Sequence, residues 1–459
     1  MGKFTLWLNE TKIDDVNLVG GKNASLGEMI TNLTGLGINI PNGFVVTTKG
    51  YDEFVKFNNL EAEINKIISS VDSDDIVSLK RASSAIQTAI INGEFPEDFK
   101  SEIIDYYVEL SNKYLDAYGN KQQYTDVAVR SSGTAEDMPD ASFAGQQDTY
   151  LNVRGKNTIL EKIKSCFASL YNERAISYRY SFGYNKISLK LSVCIQKMVR
   201  SDLGSAGVSF SIDTESGCKD IILINGSWGL GELVVSGQVK PDEFLVFKET
   251  MNDYNSIIDK RMGEKTHKMI YSDIQDKRVR IITNDKYKLN SFCLDNVKIM
   301  QLAKWVKIIE DYYSKHYNKY CPIDVEWALD GITNELYIVQ ARPETVHSNK
   351  KSFDLLEYKI DNKQNKELLF TGVSVGDSIG TGKVRIMHNI DTRENDEPFQ
   401  KGDILVTEIT DPDWEPIMKL ASGIITEKGG RTCHAAIVAR ELGKTAIVGT
   451  MNCTQILKD

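Results

Sequence analysis

The chain has 459 residues, more than one hydrophobic core usually organises, so its length predicts two or three domains. Hydrophobic residues make up 41% and charged residues 26% of the sequence, which is ordinary for a globular protein and excludes disorder of the whole chain. A formal net charge of −9 argues against a large basic surface for nucleic acid or an anionic membrane, although a few lysines and arginines can still hold a nucleotide.

The seven cysteines are widely spaced and include no CxxC pair, so neither a disulfide framework nor a zinc cluster is expected. The N-terminus lacks the apolar core of a signal peptide. No later stretch approaches the roughly 18 apolar residues that a membrane helix needs. These features predict a cytoplasmic protein with reduced thiols.

Residues 1–345 are predicted to form one mixed α/β region. A glycine pair at 20–21 precedes a segment with helical spacing, and residues 44–48 are predicted to form a strand. Residues 51–115 have the charge and periodicity of helices. Residues 124–250 instead contain short β-like runs, separated by loops rich in glycine and serine.

A long amphipathic helix is predicted from 294 to about 317, followed by two strands at 323–329 and 336–341. Residues 346–369 are polar and lack periodicity, as is typical of an interdomain linker. A smaller unit punctuated by glycines, 370–459, follows this segment.

The strongest motif of the smaller unit surrounds His434. A predicted strand at 423–426 and a Gly429-Gly430 turn place His434 in the first turn of a helix that ends near Gly443. A further strand is predicted at 445–448. A helix N-terminus presents unpaired N–H groups and the positive end of the dipole, so it suits an anion. The same field disfavours the imidazolium, and a nucleophilic histidine must be neutral.

Two neighbours of His434 add to this motif. Arg431 and Thr432 are spaced to donate hydrogen bonds to a phosphoryl group, so all three residues are predicted to be catalytic. The alternative is a histidine that merely caps or packs a helix. The two glycines, the arginine and the small-residue helix favour the phosphate-carrying interpretation.

A second motif lies on the two strands that follow the long helix. Because alternate residues of a strand share a face, Asp324 and Glu326 lie together, and so do Gln340 and Arg342. A hairpin centred near Thr333 brings Glu326 opposite Gln340 and, in the same register, Asp324 opposite Arg342. Two oxygen ligands side by side suit Mg²⁺, and Arg342 supplies a fork for phosphate. The alternative is a solvated hairpin with polar cross-strand pairs.

Three further features are weaker. Lys22 stands at a helix start and Arg130 at the end of a strand, and both can reach a triphosphate, although no Walker A sequence is present. Taken singly, such residues are most often ordinary surface charges. Gly145 belongs to residues 142–149, which form either a mobile loop over phosphates or a plain hairpin turn.

Together these segments resemble the phosphoenolpyruvate synthases, within the wider group of dikinases. The resemblance runs through nearly the whole chain and rests on residues 19–29, 141–146, 337–345, 411–416 and the segment around His434. The order Thr432-Cys433-His434 is similar to the synthases, whereas the phosphate-dependent dikinases typically have Thr-Ser-His.

The resemblance implies an α/β (α+β) architecture. An ATP-grasp-like nucleotide-binding domain is expected at 1–345, a linker at 346–369, and a small swivelling β/α phosphohistidine domain at 370–459. ATP is implied as a substrate and Mg²⁺ as a cofactor. The residues implied to bind them are Lys22, Arg130, Gly145, Glu326, Gln340 and Arg342, with Glu326 and Gln340 as the metal ligands.

The resemblance also implies a reaction, in which ATP, pyruvate and water become AMP, phosphoenolpyruvate and phosphate. His434 matches the histidine that accepts the β-phosphate. The family's C-terminal barrel needs about 250 residues, more than follow Gly443, so pyruvate and phosphoenolpyruvate are expected to bind through a missing or separate domain. No nucleic acid or membrane partner is expected, and a homodimer is left open.

Two other functions compete with this one. A rifampin-phosphotransferase-like antibiotic kinase shares both modules, but a long substrate domain would separate them where this chain has a short linker. A non-catalytic nucleotide-binding or phosphorelay partner would bind ATP and exchange phosphate with another protein. Formation of AMP and of a labelled histidine distinguishes the enzyme from this last alternative.

Overall fold

The computed structural model describes residues 4–72, 76–118, 124–134, 148–181, 190–274, 277–343, 368–376, 378–390, 399–431 and 433–458. Helices and sheets alternate along the chain in a mixed α/β architecture, as predicted. The chain divides into two compact units. The first comprises Met1–Val199, Tyr271–Arg280 and Tyr337–Ala341, and the second comprises Arg200–Ile270, Ile281–Leu336 and Arg342–Asp459.

The first unit is built on an antiparallel sheet covered by helices. Its strands are β1 Thr5–Trp7, β2 Gly43–Val46, β3 Val127–Gly133, β4 Thr149–Val153 and β5 Leu191–Lys197. Its helices are α1 Val16–Leu33, α2 Thr48–Phe57, α3 Leu60–Ser69, α4 Ile76–Asn92, α5 Glu97–Tyr118, α6 Lys156–Ser169 and α7 Glu173–Ser181. The strand order is β1-β2-β5-β3-β4, and every neighbouring pair is antiparallel.

Aromatic side chains fill the core of the first unit. Phe44, Phe54, Phe99 and Phe167 come from a strand and three helices, and all are fully buried. Burying each such side chain contributes about 1.5–3 kcal/mol relative to leaving it exposed. Val129 on β3 belongs to the same core. Because successive side chains of a strand point to opposite faces, the next residue on β3 is directed away from this core.

The next strands along the chain are β6 Ser205–Phe210, β7 Ile221–Trp228, β8 Asp242–Phe247, β9 Ile257–Arg261, β10 His267–Ile274, β11 Lys277–Thr283, β12 Ile323–Leu329 and β13 Leu336–Pro343. They form a six-stranded sheet in the order β13-β12-β6-β7-β8-β9 and a two-stranded sheet of β10 and β11. The helices in this part of the chain are α8 Glu232–Val235, α9 Lys286–Leu289 and α10 Asn296–His316.

The C-terminal part of the second unit has its own sheet. Its strands are β14 Val373–Val375, β15 Val384–Ile386, β16 Ile404–Thr407, β17 Gly423–Thr426 and β18 Thr445–Val448, and its helices are α11 Glu415–Leu420, α12 His434–Glu441 and α13 Cys453–Ile456. The order is β14-β18-β17-β16-β15, with β15 to β18 parallel and β14 antiparallel. Parallel strands need crossover connections, which here include α11 and α12.

Several predicted elements are confirmed and one description is wrong in part. The helix predicted from 294 to about 317 is α10, and the strands predicted at 323–329, 423–426 and 445–448 are β12, β17 and β18. The β-like description of 124–250 overlooked the helices α6, α7 and α8. The buried side chains of α6 include Ile159, Ile163 and Phe167, which recur with the spacing of a helical face.

Part of the predicted organisation lies outside the described residues. Residues 344–367 are among these, so the linker at 346–369 and the domain boundaries beside it stay predictions. Across the part of the chain that the structure describes, no helix has the length and apolar character needed to cross a bilayer.

Candidate functional site

The first helix departs from helical geometry at Gly20, directly before the segment that carries Lys22. Gly20 has φ 75° and ψ 163°, and a Cβ at this position would lie 2.7 Å from the carbonyl carbon of Ser132. Glycine alone tolerates both the backbone conformation and this close approach. The Asn23 amide donates to Ser132 Oγ at 3.4 Å, and Asn23 Nδ2 donates to Ser192 Oγ at 3.1 Å. These bonds hold the Lys22 segment against β3 and β5.

Arg130 on β3 contacts a third segment of the same unit. Its guanidinium donates to the carbonyl of Val339 at 3.4 Å and to Oε1 of Gln340. Gln340 is buried. The Ser25 hydroxyl, on α1, donates to the carbonyl of Ala341 at 2.7 Å. The first unit therefore brings the predicted residues Arg130 and Gln340 into direct contact and ties the segment after Lys22 to the same strand.

The turn between β12 and β13 is stabilised by hydrogen bonds between Asp330 and the backbone. The carboxylate of Asp330 accepts hydrogen bonds from the amides of Ile332 at 2.8 Å and Thr333 at 3.1 Å. The Asp330 amide donates to the carbonyl of Glu335 at 2.9 Å. Aspartate commonly bonds the backbone two residues on in turns, so the sequence specifies this turn locally. The predicted hairpin near Thr333 is confirmed.

One of the two cross-strand pairs predicted for this hairpin is present in the second unit. Arg342 Nε lies 3.5 Å from Asp324 Oδ2, and both side chains are partly buried. Glu326 is also partly buried on β12. Glu326 belongs to the second unit and Gln340 to the first, so their joint role as metal ligands stays a prediction.

His434 is the first residue of α12, as predicted. Cys433 is the N-cap residue, with an extended conformation of φ −73° and ψ 164°. Gly429 has φ 110°, which allows the tight turn between β17 and the helix. Cys433 is buried, and this burial raises the pKa of its thiol. The helix begins next to a neutral thiol, and its first residue is a half-buried histidine.

Thr410 is a site residue that the sequence analysis missed. The parallel strands β16 and β17 pair Thr407 with Thr426, and segments that follow such carboxyl ends meet at one edge of a sheet. Thr410 follows β16 and is buried, and its Oγ1 lies 3.0 Å from Nδ1 of His434. The apolar run at 404–407 is the signal that would have predicted β16 and hence this edge.

A cavity of about 370 Å³ opens beside His434 within the second unit. Its polar and charged lining residues are Ser236, Gln238, His267, Thr410, Asp411, Lys428 and His434. Its apolar lining residues are Leu233, Val239, Ile281 and Ile409. The cavity combines hydrogen-bonding groups and a lysine with apolar walls, which is the usual character of a small-molecule site.

Arg431 has an acidic neighbour. Its Nη1 lies 4.0 Å from Asp213 Oδ1. Burial raises the pKa of the Asp213 carboxyl. Hydrogen bonds from Ser216 and Glu215 and the charge of Arg431 lower this pKa by more, so it lies below its usual value. The carboxylate is therefore charged at neutral pH. The predicted contact of Arg431 with a phosphoryl group stays a prediction, and Thr432 and Gly145 lie outside the described residues.

Two further contacts hold the His434 helix against the first part of the second unit. Gly237 has φ 73°, and a Cβ at this position would lie 3.1 Å from Cys433 Cα and closer still to Cys433 Cβ. The guanidinium of Arg440 donates to Oε1 of Glu215, and both side chains are largely buried. The position of the helix thus depends on Gly237 and Glu215, two residues far from it in sequence.

Two protein-family models match this chain. Residues 16–362 match the family model described as pyruvate phosphate dikinase, AMP/ATP-binding domain. The chain belongs to this family. Residues 399–459 match a second family model, described as PEP-utilising enzyme, mobile domain. In this dikinase-family chain, Lys22, Arg130 and Gln340 fall within the first match and His434 within the second.

Individual relatives carry more specific names. The chain is 52% identical over 457 residues to the phosphoenolpyruvate synthase of Aquifex aeolicus and 46% identical over 457 residues to that of Escherichia coli. It is 38% identical over 484 residues to a probable phosphoenolpyruvate synthase of Staphylothermus marinus. These alignments cover 99% of this chain but only 52%, 55% and 56% of the relatives, so the chain spans about half of their length. The resemblance to the phosphoenolpyruvate synthases is confirmed.

Proposed function

We propose that this chain carries out the ATP-dependent half of a phosphoenolpyruvate synthase reaction, in which His434 receives the β-phosphate of ATP. The observation that carries the proposal is the position of His434. It begins a helix, contacts Thr410 through Nδ1 and lines a cavity, in a chain of an AMP/ATP-binding dikinase family. A packed histidine with only a structural role would not need this cavity.

The proposed transfer has two stages. A ring nitrogen of His434 attacks the β-phosphorus of ATP, and an N–P bond forms while the bond to the AMP oxygen breaks. Water then takes the γ-phosphoryl group as phosphate. AMP, phosphate and a phosphohistidine are the products. Phosphoryl transfer depends mainly on positioning and charge stabilisation, to which the positive end of a helix dipole can contribute.

Nucleotide binding is proposed for the cluster of the first unit. Arg130 donates two hydrogen bonds to the 337–341 segment, which fixes the direction of its guanidinium. An arginine held in this way can present its remaining N–H groups to phosphate without losing further side-chain entropy. Lys22 follows a close-packed glycine kink and is proposed to contact the same phosphates. We also propose that Arg342 and Gly145 bind the nucleotide. Arg342 is paired with Asp324.

Mg²⁺ is the proposed cofactor. The chemistry of the donors fits it, because Glu326 supplies a carboxylate and Gln340 an amide oxygen, and Mg²⁺ prefers oxygen ligands. Oε1 of Gln340 accepts a hydrogen bond from Arg130, which fixes the orientation of this amide oxygen. When bound, the ion would neutralise charge on the phosphates. Onward transfer to pyruvate is proposed from the names of the relatives.

The test is a single-turnover reaction of the chain with ATP and Mg²⁺. The proposal predicts AMP and phosphate in amounts close to the amount of protein. Substitution His434→Asn should abolish AMP formation while ATP still binds. ATP binding without AMP formation by the unsubstituted chain would instead support a nucleotide-binding or phosphorelay partner. The antibiotic-kinase alternative has no support in the names of the relatives reported above.

A further inference from the structure

Two lysines, Lys268 and Lys288, form a lysine pair at the end of β7. Lys288 Nζ lies 5.3 Å from the centroid of the Trp228 ring, and the Trp228 indole N–H donates to the carbonyl of Lys288 at 3.0 Å. Lys268 lies on β10 against the next residue, because a Cβ added at Gly229 would be 2.9 Å from the Lys268 Cβ. Both lysines are half-buried. Consecutive residues of the second unit therefore hold two cationic side chains at one place.

The carboxylates that act on the lysine pair are engaged in other bonds. Both oxygens of Asp202 accept hydrogen bonds from the Arg200 guanidinium, at 2.9 and 3.0 Å. The Asp285 carboxylate accepts from the Lys288 amide at 2.9 Å, as the N-cap of α9. The lysine pair and Arg200 together face these two carboxylates, so the group has an excess of positive charge.

The two ammonium groups disfavour each other's charge. Burial, the contact with Lys288 and the charge of Lys288 lower the pKa of Lys268 to about 8. Asp285 and Asp202 act in the opposite direction, but they do not restore the usual pKa. Below this pKa both lysines are charged and repel each other. An anion that lies between them offsets this repulsion and accepts hydrogen bonds from both.

The lysine pair is distinct from the proposed metal ligands. Because alternate residues of a strand share a face, Trp228 lies on the same face of β7 as Gly226. A Cβ at Gly226 would lie 2.6 Å from Cζ2 of Trp327, so this face of the sheet packs against the Trp327 ring. Glu326 precedes Trp327 on β12 and is directed to the opposite face.

We propose that Lys268 and Lys288 form a binding site for a small dianion of the phosphate class. Each ammonium group has three N–H donors, and a phosphate group offers several acceptor oxygens, so one ion can bond to both lysines. The Trp228 ring restrains the direction of Lys288. The formal net charge of −9 disfavours a polyanionic nucleic acid or membrane as the ligand and favours a small ion.

The experiment observes the indole N–H of Trp228 by NMR in the full chain labelled with [¹⁵N]tryptophan. Trp228→Phe assigns this signal, which reports binding at the lysine pair and not at the proposed nucleotide-binding cluster. Inorganic phosphate is titrated at about pH 8 and at low ionic strength, because salt screens partly exposed charges. The variants are Lys268→Gln, Lys288→Gln and the control Lys219→Gln. Lys219 precedes β7 at its other end and also lies over an aromatic ring, 4.7 Å from the centroid of Tyr320.

Phosphate should shift the Trp228 signal with a saturable curve in the unsubstituted chain and in Lys219→Gln. Lys268→Gln and Lys288→Gln should each raise the dissociation constant by about tenfold or more, because each loses charge-assisted hydrogen bonds to the ion. Thermal unfolding shows that each variant is folded. The absence of a saturable shift in the unsubstituted chain would overturn the inference. So would equal dissociation constants for the unsubstituted chain and the two folded variants of the lysine pair.

A titration with sulfate tests the role of charge on Lys268. Sulfate remains a dianion between about pH 7 and about pH 9, whereas Lys268 loses its proton as the pH rises through its pKa of about 8. The affinity for sulfate should therefore be highest at the lower pH and should fall by about fivefold across this range. Lys268→Gln should remove this dependence on pH. An affinity of the unsubstituted chain that stays constant or rises with pH would contradict the inference.

Discussion

Arg130 illustrates how a single residue connects distant parts of the chain. It lies on β3, yet its guanidinium donates to Val339 and Gln340 on β13. An arginine on the surface would place its charge in water and would contribute little to stability. At this position the charge is partly buried and held in one direction, which is the condition for binding a phosphate by charge-assisted hydrogen bonds.

Substitution Arg130→Met should therefore weaken ATP binding. Loss of hydrogen bonds to a charged group costs about 1.5–3 kcal/mol, so the dissociation constant should rise by at least about tenfold. Calorimetric titration in a His434→Asn background measures the affinity without turnover. Arg81→Met, which removes an exposed arginine from α4, is the control and should leave the affinity unchanged. Equal affinities of the two variants would remove Arg130 from the proposed site.

The cysteines give a second residue-scale prediction. All seven lie within the described residues as free thiols, and Cys218 is exposed whereas Cys433 is buried with a raised pKa. A raised pKa means less thiolate at a given pH, so Cys433 should react more slowly than Cys218 at pH 8, by at least about tenfold. Iodoacetamide labelling followed by mass spectrometry measures both rates. Equal rates would contradict the burial of Cys433.

At the scale of elements, a buried ion pair fixes the start of β8. Asp242 and Lys265 are both fully buried and paired. The Asp242 carboxylate also accepts from the amides of Gly263 at 2.9 Å and Cys293 at 2.8 Å. Both oxygens of the carboxylate are therefore hydrogen-bonded. Removing one member of such a pair leaves an uncompensated buried charge.

Asp242→Ala should accordingly lower the free energy of unfolding by about 3–5 kcal/mol. The exposed pair of Glu97 and Lys100 on α5 supplies the control, because Glu97→Ala should cost at most about 1 kcal/mol. Urea unfolding followed by circular dichroism measures both. A cost for Asp242→Ala as small as that for Glu97→Ala would contradict the structural role of the buried pair.

The loop that carries Gly237 is the second element whose role can be tested. Gly237→Ala places a methyl group against Cys433 in a backbone conformation that disfavours side chains. His434 should then be displaced, and single-turnover AMP formation should fall by about tenfold, or about 1.4 kcal/mol. Gly35→Ala is the control, because a Cβ at Gly35 meets no atom within 4 Å. Full activity of Gly237→Ala would contradict the contact.

The sequence predicted elements best where local chemistry specifies them. The structure confirms the hairpin near Thr333, the start of the His434 helix and the strands β12, β17 and β18. Turn residues and glycines mark the ends of these elements in the sequence. Helix α6 was missed because glycine-rich and serine-rich loops dominated the description of its surroundings. Thr410 and Gly237 were missed because their importance arises from tertiary contacts with residues distant in the chain. Such contacts have no local signature.

At the scale of the whole molecule, the chain passes between the two units several times. The first unit includes the short segments Tyr271–Arg280 and Tyr337–Ala341 from the second half of the chain. Tyr271 donates to Asp126 at 2.6 Å, and Asn152 donates to the carbonyl of Arg278 at 2.8 Å. The first unit is therefore completed by residues far from its main segment. The proposed nucleotide-binding cluster depends on the same arrangement, because Gln340 belongs to one of these segments.

The most direct test of the central claim compares ATP labelled at the β-phosphorus with ATP labelled at the γ-phosphorus. In the presence of Mg²⁺, the chain should retain label from the β-position on His434, and the label from the γ-position should appear as free phosphate. Peptide mapping locates the label, and His434→Asn should prevent its transfer. Retained γ-label, or β-label on another residue, would contradict the account of His434 as the acceptor of the β-phosphate.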